Sequence, residues 1–475
     1  MNEFSLGFAC YYLVIALITF FAYRRTKTDF DYDIGGRSLS APVAALSAGA
    51  SDMSGWLLLG LPGAVYLAGV SESWIVIGLL IGAYLNWHFV APRLRRYASA
   101  YEEEASTLPQ FFKLRTGYDG VPMRLVSSLV VIVFFTVYTS AGFVASAKLF
   151  QSVMGWDYQM AVAVGVAVIM VYTVAGGFLA VSWTDAFQAL LMLIALIALP
   201  MLATQSIEVE KLDLSINSVG AIGTLSLLAW GLGYFGQPHV LARFMAIKRP
   251  QELGRAKVIG MSWMFVATLG AIAVGVVGSA AAPGLTDPET VFIRIAELFL
   301  NPWLAGLLIA AILAAVMSTV DSQLIVASTS IVNDLFYIKK HKLFVSRLVV
   351  IGVALGAGLI AFDENSVILD VVAYAWAGLG ASFGPALLFA LFWRRTTGDS
   401  IVAGMVAGAV TTLVWHNLGA NYGGVFASVY EMIPAFVLAS VAIVGSAYLF
   451  PDEEAESRFR TLEQLKGSSN DAREA

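Results

Sequence analysis

An all-α, polytopic membrane protein is the fold class this sequence predicts, on three observations. Of its 475 residues 59% are hydrophobic and 13% charged, where soluble domains hold roughly 45–50% and about 25%. Apolar runs long enough to cross about 30 Å of hydrocarbon, at ~1.5 Å of helix per residue, recur through most of the chain. Lysine and arginine gather in alternate connecting segments.

About thirteen membrane helices are expected, near residues 5–23, 41–69, 73–92, 123–150, 158–177, 183–204, 220–240, 256–281, 302–332, 343–361, 366–393, 398–416 and 429–450. The first run, Leu6–Tyr23, has no positive leader and no small-residue cleavage site, so it reads as a retained helix rather than a signal peptide. Connections after odd-numbered helices carry Arg24, Arg25, Lys27 and Arg37, then Arg93 to Arg115, then Arg243 to Lys257, and later Lys339 to Arg347 and Arg394–Arg395. Connections after even-numbered helices hold little beyond Lys211 and Arg294. Because basic loops stay inside, the N-terminus is expected outside and the C-terminal tail in the cytoplasm. Lys148 falls near an outer helix end and is expected to snorkel. The tail from Pro451 reads as a solvated, partly helical end.

Several function classes drop out. One cysteine, Cys10, excludes a disulfide framework or cysteine metal site, and His88, His239, His341 and His416 share no ligand spacing. There is no GxxxxGK[ST] and no nucleophile–base constellation, which argues against an NTPase or an intramembrane enzyme. The net charge of −5 crowds into loops and tail without a basic stripe, so no nucleic-acid partner is implied.

Two helices are written like loops. The second, LSAGASDMSGWLLLGLPG at Leu46–Gly63, places Ser47, Ser51, Asp52, Ser54 and four glycines between apolar runs. The seventh, LLAWGLGYFGQPHVLARF, holds Gly231, Gly233, Gly236 and Pro238 inside its span. An unpaired backbone group in hydrocarbon costs several kcal/mol, so broken helix is tolerated only where it is buried in protein or lines a cavity. Ser51–Gly55 is therefore read as an unwound midpoint lining a solute or ion site, and the paired interruptions point to an inverted repeat setting helices two to six against seven to eleven. The competing reading is that these glycines only let helices pack closely.

In the ninth helix, Ala315, Ser318 and Thr319 share one face. Two hydroxyls deep in a span can bond to the preceding turn's carbonyls. Opposite an unwound helix they can instead join freed carbonyls around a small hard cation. Intramembrane carboxylates suggest function because burying them is costly. Asp185, at the start of the sixth helix, is either its N-cap or an ion ligand. Asp321, beside Ser322, is open between a second cation site, a gate and a paired structural charge. Trp230 and Tyr234, four apart beside the second break, suit an enclosed apolar ring, and Tyr138 supplies a third wall.

With SDMSGW at Ser51–Trp56, YTVAGGFLAVSWTDAFQA at Tyr172–Ala189, GLGYFGQPH at Gly231–His239 and MSTVDSQL at Met317–Leu324, the chain resembles the sodium/solute symporter family, and within it the bacterial sodium/proline branch, from about residue 5 to 450. The resemblance implies a leucine-transporter-like inverted repeat of 5+5 helices: residues 41–205 and 206–393, preceded by 1–40 and followed by two helices at 394–450 and a cytoplasmic tail at 451–475. It implies sodium held by the carbonyls of Ala50, Met53 and Ala315 and the hydroxyls of Ser318 and Thr319, with Asp52 in support. Proline would lie near Ser54, Gly55, Tyr138, Trp230, Tyr234 and Pro238, and Arg37 would belong to the coupling machinery. Asp321 stands where the proline branch has a small residue, so Asp185, Asp321 and Ser322 leave room for a second sodium.

The expectation is thus a secondary active symporter importing L-proline with sodium across a bacterial inner membrane, without covalent chemistry or an obligate protein partner. The alternatives are a relative carrying another amino acid, pantothenate or a sugar, or a channel or sensor on the same fold.

Overall fold

In hydrocarbon only helices satisfy every backbone group within one segment, and the chain complies. The computed structural model describes residues 3–100, 104–175, 177–205, 219–336, 338 and 340–471. Among them the sole β pairing is an isolated bridge between Leu39 and Ile247.

In chain order the principal helices are α1 (Glu3–Tyr23), α2 (Ala41–Asp52), α3 (Leu61–Ala68), α4 (Ser73–Leu85), α5 (Val121–Met154), α6 (Tyr158–Ala175), α7 (Phe178–Thr204), α8 (Gly220–Leu228), α9 (Pro238–Ala246), α10 (Leu253–Ala281) and α11 (Pro302–Thr329). They continue as α12 (Lys342–Ala361), α13 (Ile368–Phe392), α14 (Gly398–Tyr422), α15 (Met432–Leu449) and α16 (Ala455–Asp471). Nine helical stretches among the described residues are long and apolar enough to cross a bilayer, and Gly7–Tyr23, Trp56–Ala68, Tyr158–Met170 and Gly220–Gly236 are shorter apolar helices. Two of those four, Trp56–Ala68 and Gly220–Gly236, are short because a break divides their span.

In the most apolar windows of α11 and α13, 83% of residues are buried, against 28% in α14 and α15. The first pair forms the centre of the bundle and the second faces lipid with residues such as Val410, Val414, Val437 and Val441. Where helices cross closely the sequence supplies glycine: a Cβ on Gly82 would stand 2.0 Å from the Gly231 carbonyl oxygen. Gly82→Ala is therefore expected to cost about 1–3 kcal/mol and lower the detergent melting temperature by several degrees. Gly445→Ala, whose Cβ meets nothing within 4 Å, should leave it unchanged.

Four expectations are corrected here. The sixth expected helix starts at Phe178 rather than near 183, because extended Gly177 occupies its N-cap position, so Asp185 lies two turns inside α7 and caps nothing. Lys148 does not snorkel: it is buried and pairs with Asp287 at 2.8 Å and Glu289 at 2.7 Å. Glu289 in turn accepts the backbone N–H groups of Ile368 and Leu369, tying α5 to the start of α13. Arg243, counted among loop cations, lies inside α9 and is fully buried. The tail is also more than a solvated end. Its Leu462 is buried, and Arg115 of the short helix Leu108–Thr116 places its guanidinium 4.8 Å from the Phe459 ring.

Candidate functional site

The first break frees carbonyls and redirects them. Met53 leaves the helical conformation at φ −89, ψ 82, with its N–H still bonded to Gly49. Ser54 N–H, the helical donor for Ala50, turns to the Asp52 carbonyl at 3.2 Å, and Leu57 N–H, the helical donor for Met53, goes to Ser54 at 3.0 Å. The chain then resumes through a wide turn at Trp56–Gly60 into α3. The released Ala50 carbonyl is taken up by the other side of the bundle: Ser318 Oγ donates to it at 2.8 Å and Thr319 Oγ1 at 3.3 Å. Ser318 also reaches the Ala315 carbonyl at 3.0 Å. Four of the five expected cation ligands thus converge, and Met53 lies buried at the break beside them.

Asp52 faces away from that cluster. Its carboxylate accepts a hydrogen bond from the Tyr234 hydroxyl, joining the two broken helices, and its Oδ1 is buried without a partner. Its carbonyl accepts from the Trp56 indole and from Tyr138, both at 3.2 Å. Ser54 is buried next to this group. Gly55 presents its Cβ position to Ala145 of α5 at 2.6 Å, so the break segment and α5 meet there without room for a side chain.

At the second break, α8 tightens into a 3₁₀ segment, Ala229–Gly236, and extended Gln237 precedes α9. Pro238 supplies the first residue of α9, where its missing N–H and fixed φ suit a helix start and forbid continuation from upstream. The tight turn places Trp230 and Tyr234 among aromatic partners. Trp230 stacks on Tyr430 at 5.6 Å and tilts over Trp56 at 6.3 Å, while Tyr234 meets Trp376 edge-on at 5.2 Å. The Trp376 indole donates to the Trp230 carbonyl at 2.8 Å, and Asn86 to that of Tyr234 at 2.9 Å. His239, between Phe135 and Tyr138, has both ring nitrogens buried without a partner.

Asp185 is part of a separate buried ion pair. Its Oδ2 lies 3.1 Å from Arg243 Nη2 and 2.7 Å from the Ser47 hydroxyl, and both charged side chains are wholly buried. Arg243 also donates to Ser47 at 3.1 Å, to the His239 carbonyl at 2.8 Å and to Ser322. One guanidinium thereby links α2, α7, α9 and α11. Asp321 points elsewhere: its Oδ1 accepts from Thr173 of α6, and its Oδ2 has no partner.

Arg37 sits at the end of the molecule that carries the basic loops. It is buried, donates to the Ala98 and Ala105 carbonyls at 2.9 Å, and pairs with Glu104 at 3.2 Å. Burial, with Arg95 adding like charge, lowers its guanidinium to about 10, so it stays charged at neutral pH. Its backbone has the strained φ of 50. Just beyond it Leu39 pairs with the chain leaving α9, which joins the start of one broken helix to the end of the other.

Sequence reasoning missed Arg243, Ser47, Thr173, Trp56, Trp376, Tyr430 and His239. Arginine within an apolar span was a usable signal for the first; the partners of the others come from elements distant in sequence.

A bundle with two interrupted helices side by side, their freed carbonyls and polar side chains turned inward, has the architecture of a membrane transporter. Solved structures share this fold. A Na⁺-coupled sialic acid symporter in a substrate-bound, outward-open state aligns over 95% of this chain and 99% of its own with a TM-score of 0.78 at 18% identity. A nucleobase–cation-symport-1 family transporter aligns over 90% and 97% with a TM-score of 0.54 at 16% identity. The chain belongs to the sodium:solute symporter family, whose sequence pattern matches residues 32–408. It is 44% identical to the sodium/proline symporter of Escherichia coli over 95% of this chain and 94% of that one. It is also 44% identical to the high-affinity proline transporter PutP of Bacillus subtilis over 93% and 98%.

Proposed function

We propose that this protein is a sodium-coupled secondary active symporter that imports L-proline across a bacterial inner membrane. The observation that carries the reading is the Ala50 carbonyl, stripped of its helical donor and met by Ser318 and Thr319. Four or five neutral oxygens there suit a dehydrated sodium ion without burying net negative charge. The 44% identity to symporters named for sodium and proline supports the choice of ion and solute.

Sodium then joins α2 to α11 while Ser54, Tyr138, Trp230, Tyr234 and Pro238 receive proline. The pyrrolidine ring lies among the aromatic faces, and the carboxylate meets the positive N-terminal end of a half-helix. Asp52, through Tyr234, connects the two ligands. Each ligand stabilises the arrangement the other binds best, so the coupling is reciprocal. Alternating access follows from rocking of one repeat, 41–205, against the other, 206–393, with 1–40, 394–450 and 451–475 outside the repeats. The N-terminus faces the periplasm and the tail the cytoplasm, on the distribution of basic loops.

Uptake of radiolabelled proline into proteoliposomes decides the matter. A sodium gradient should drive accumulation; absence of sodium-stimulated proline flux, with flux of another solute, overturns the assignment. Trp230→Ala removes the ring stacked on Tyr430 and should weaken proline binding far more than sodium binding measured without proline. Equal losses of both would mean a folding defect.

A further inference from the structure

A cavity of about 520 Å³ opens at the face carrying the basic loops, bordered by the segment before Arg37, the helix Leu108–Thr116 and the chain after α11. Its charged lining favours acid: Asp29, Asp33, Glu104, Asp119 and Asp334 against Lys113, Arg124 and Lys342. Beneath it a void of about 20 Å³ shares Asp33, Ser106 and Pro109 with the cavity and reaches Pro238 at the second break. That void has room for a single water-sized body. A vestibule and a neck thus lead from the solvent face to the proposed solute site.

Several oxygens at the neck and its mouth have no hydrogen-bond partner. Thr329 and Ser330 border the small void and Asp334 the cavity above it, and each is 3% exposed. The Thr329 and Ser330 hydroxyls, Asp33 Oδ1 and Asp334 Oδ2 are all buried without a hydrogen-bond partner. Ser330 stands beside the Asp334 carboxylate, whose other oxygen accepts from Thr107 at 3.1 Å and Gln110 at 3.2 Å. The charges are unequal too. Asp33 is neutralised by Lys342 at 2.6 Å, whereas Asp334 has no cationic partner among the described residues. A buried carboxylate at the mouth of a water-sized void bordered by unpaired hydroxyls is a fitting receptor for one hard monovalent cation, since oxygen ligands replace its hydration and one net charge balances it.

We propose that Asp334, Thr329 and Ser330, with Asp33 at the rim, form a second, transit site for sodium on its way to the cytoplasm. It stands apart from the proposed central site: Thr329 lies ten residues beyond Thr319 on the same helix, about 15 Å along its axis. The proposal rests on the sodium-coupled reading above. It assigns the neck a function in release: a cation leaving the centre finds a compensating charge halfway out, and sodium bound there from the cytoplasm holds the exit occupied.

The test uses the full chain with Cys10→Ser, which removes the single cysteine, and Ser106→Cys as a reporter lining both voids. Alkylation by N-ethylmaleimide is followed in inside-out vesicles with sodium chloride or choline chloride. Sodium should slow labelling several-fold. The slowing should persist when Ser318 and Thr319 are alanine and vanish in Asp334→Asn. Slowing that survives Asp334→Asn, vanishes with the Ser318/Thr319 pair, or occurs equally with choline overturns the proposal, as does no slowing at all. Should Asp334→Asn yield too little protein, Thr329→Val with Ser330→Ala removes two neck ligands while keeping the Thr107 and Gln110 bonds. The central site has its own readout, the sodium dependence of proline uptake, so failure of one assignment is distinguishable from failure of the other.

Discussion

Replacing Ser318 and Thr319 together by alanine is expected to raise the sodium concentration for half-maximal proline uptake by about two orders of magnitude. Each hydroxyl removed from a buried site costs about 1–2 kcal/mol, and 1.4 kcal/mol is a factor of ten in affinity. Ala50, whose helical donor Ser54 has turned to Asp52, also loses its two donors at 2.8 and 3.3 Å and is left with a buried bare carbonyl. Single replacements should each cost about tenfold, the Ser318 change more because its hydroxyl also reaches the Ala315 carbonyl. Uptake at saturating sodium should recover much of its rate. An unchanged sodium dependence in the double variant removes these residues from the ion site.

The second large effect is at Arg243. Arg243→Met leaves Asp185 buried without its cation, with only the Ser47 and Ser322 hydroxyls donating to it; breaking a buried pair from one side costs about 3–5 kcal/mol. Yield of folded protein from membranes should collapse, and what remains should melt well below the parent. Arg243→Met with Asp185→Asn removes both charges and should restore most of the stability, because a neutral pair needs no partner cation. Arg243→Lys is not conservative here: the fork spans Ser47, the His239 carbonyl, Asp185 and Ser322, and an ammonium with three donors on a flexible stem cannot. Melting of Arg243→Met at the parent temperature would show that the pair does not hold α7 and α9 together.

The helices were legible because apolar runs of spanning length have no other stable use in a chain this hydrophobic. The breaks were legible because they violate the same rule: Gly55 after Ser54, and Gly236 before Gln237 and Pro238, are poor choices inside a lipid-facing helix. The hydroxyl pair at Ser318 and Thr319 could be singled out by its depth in a span, but the carbonyl it meets belongs to Ala50, far away in sequence. Arg243 and Lys148 misled for one reason. A cation near a helix end carries the same signal whether it snorkels to water or turns inward to a carboxylate, and Asp185 and Glu289 that receive them lie on other elements. Asp185 misled because Gly177 in an extended conformation started α7 earlier than the apolar pattern does.

By itself the sequence determined a multi-pass helical carrier with two interrupted helices, since hydrophobic length and backbone satisfaction are local properties of a chain in lipid. Tertiary structure alone decided the partners: Asp52 with Tyr234, Trp230 with Tyr430 and Trp376, and Arg243 with Asp185. Each joins groups on separate helices, and in a low-dielectric interior the cost of an unpaired polar group makes the identity of its partner a matter of three-dimensional packing.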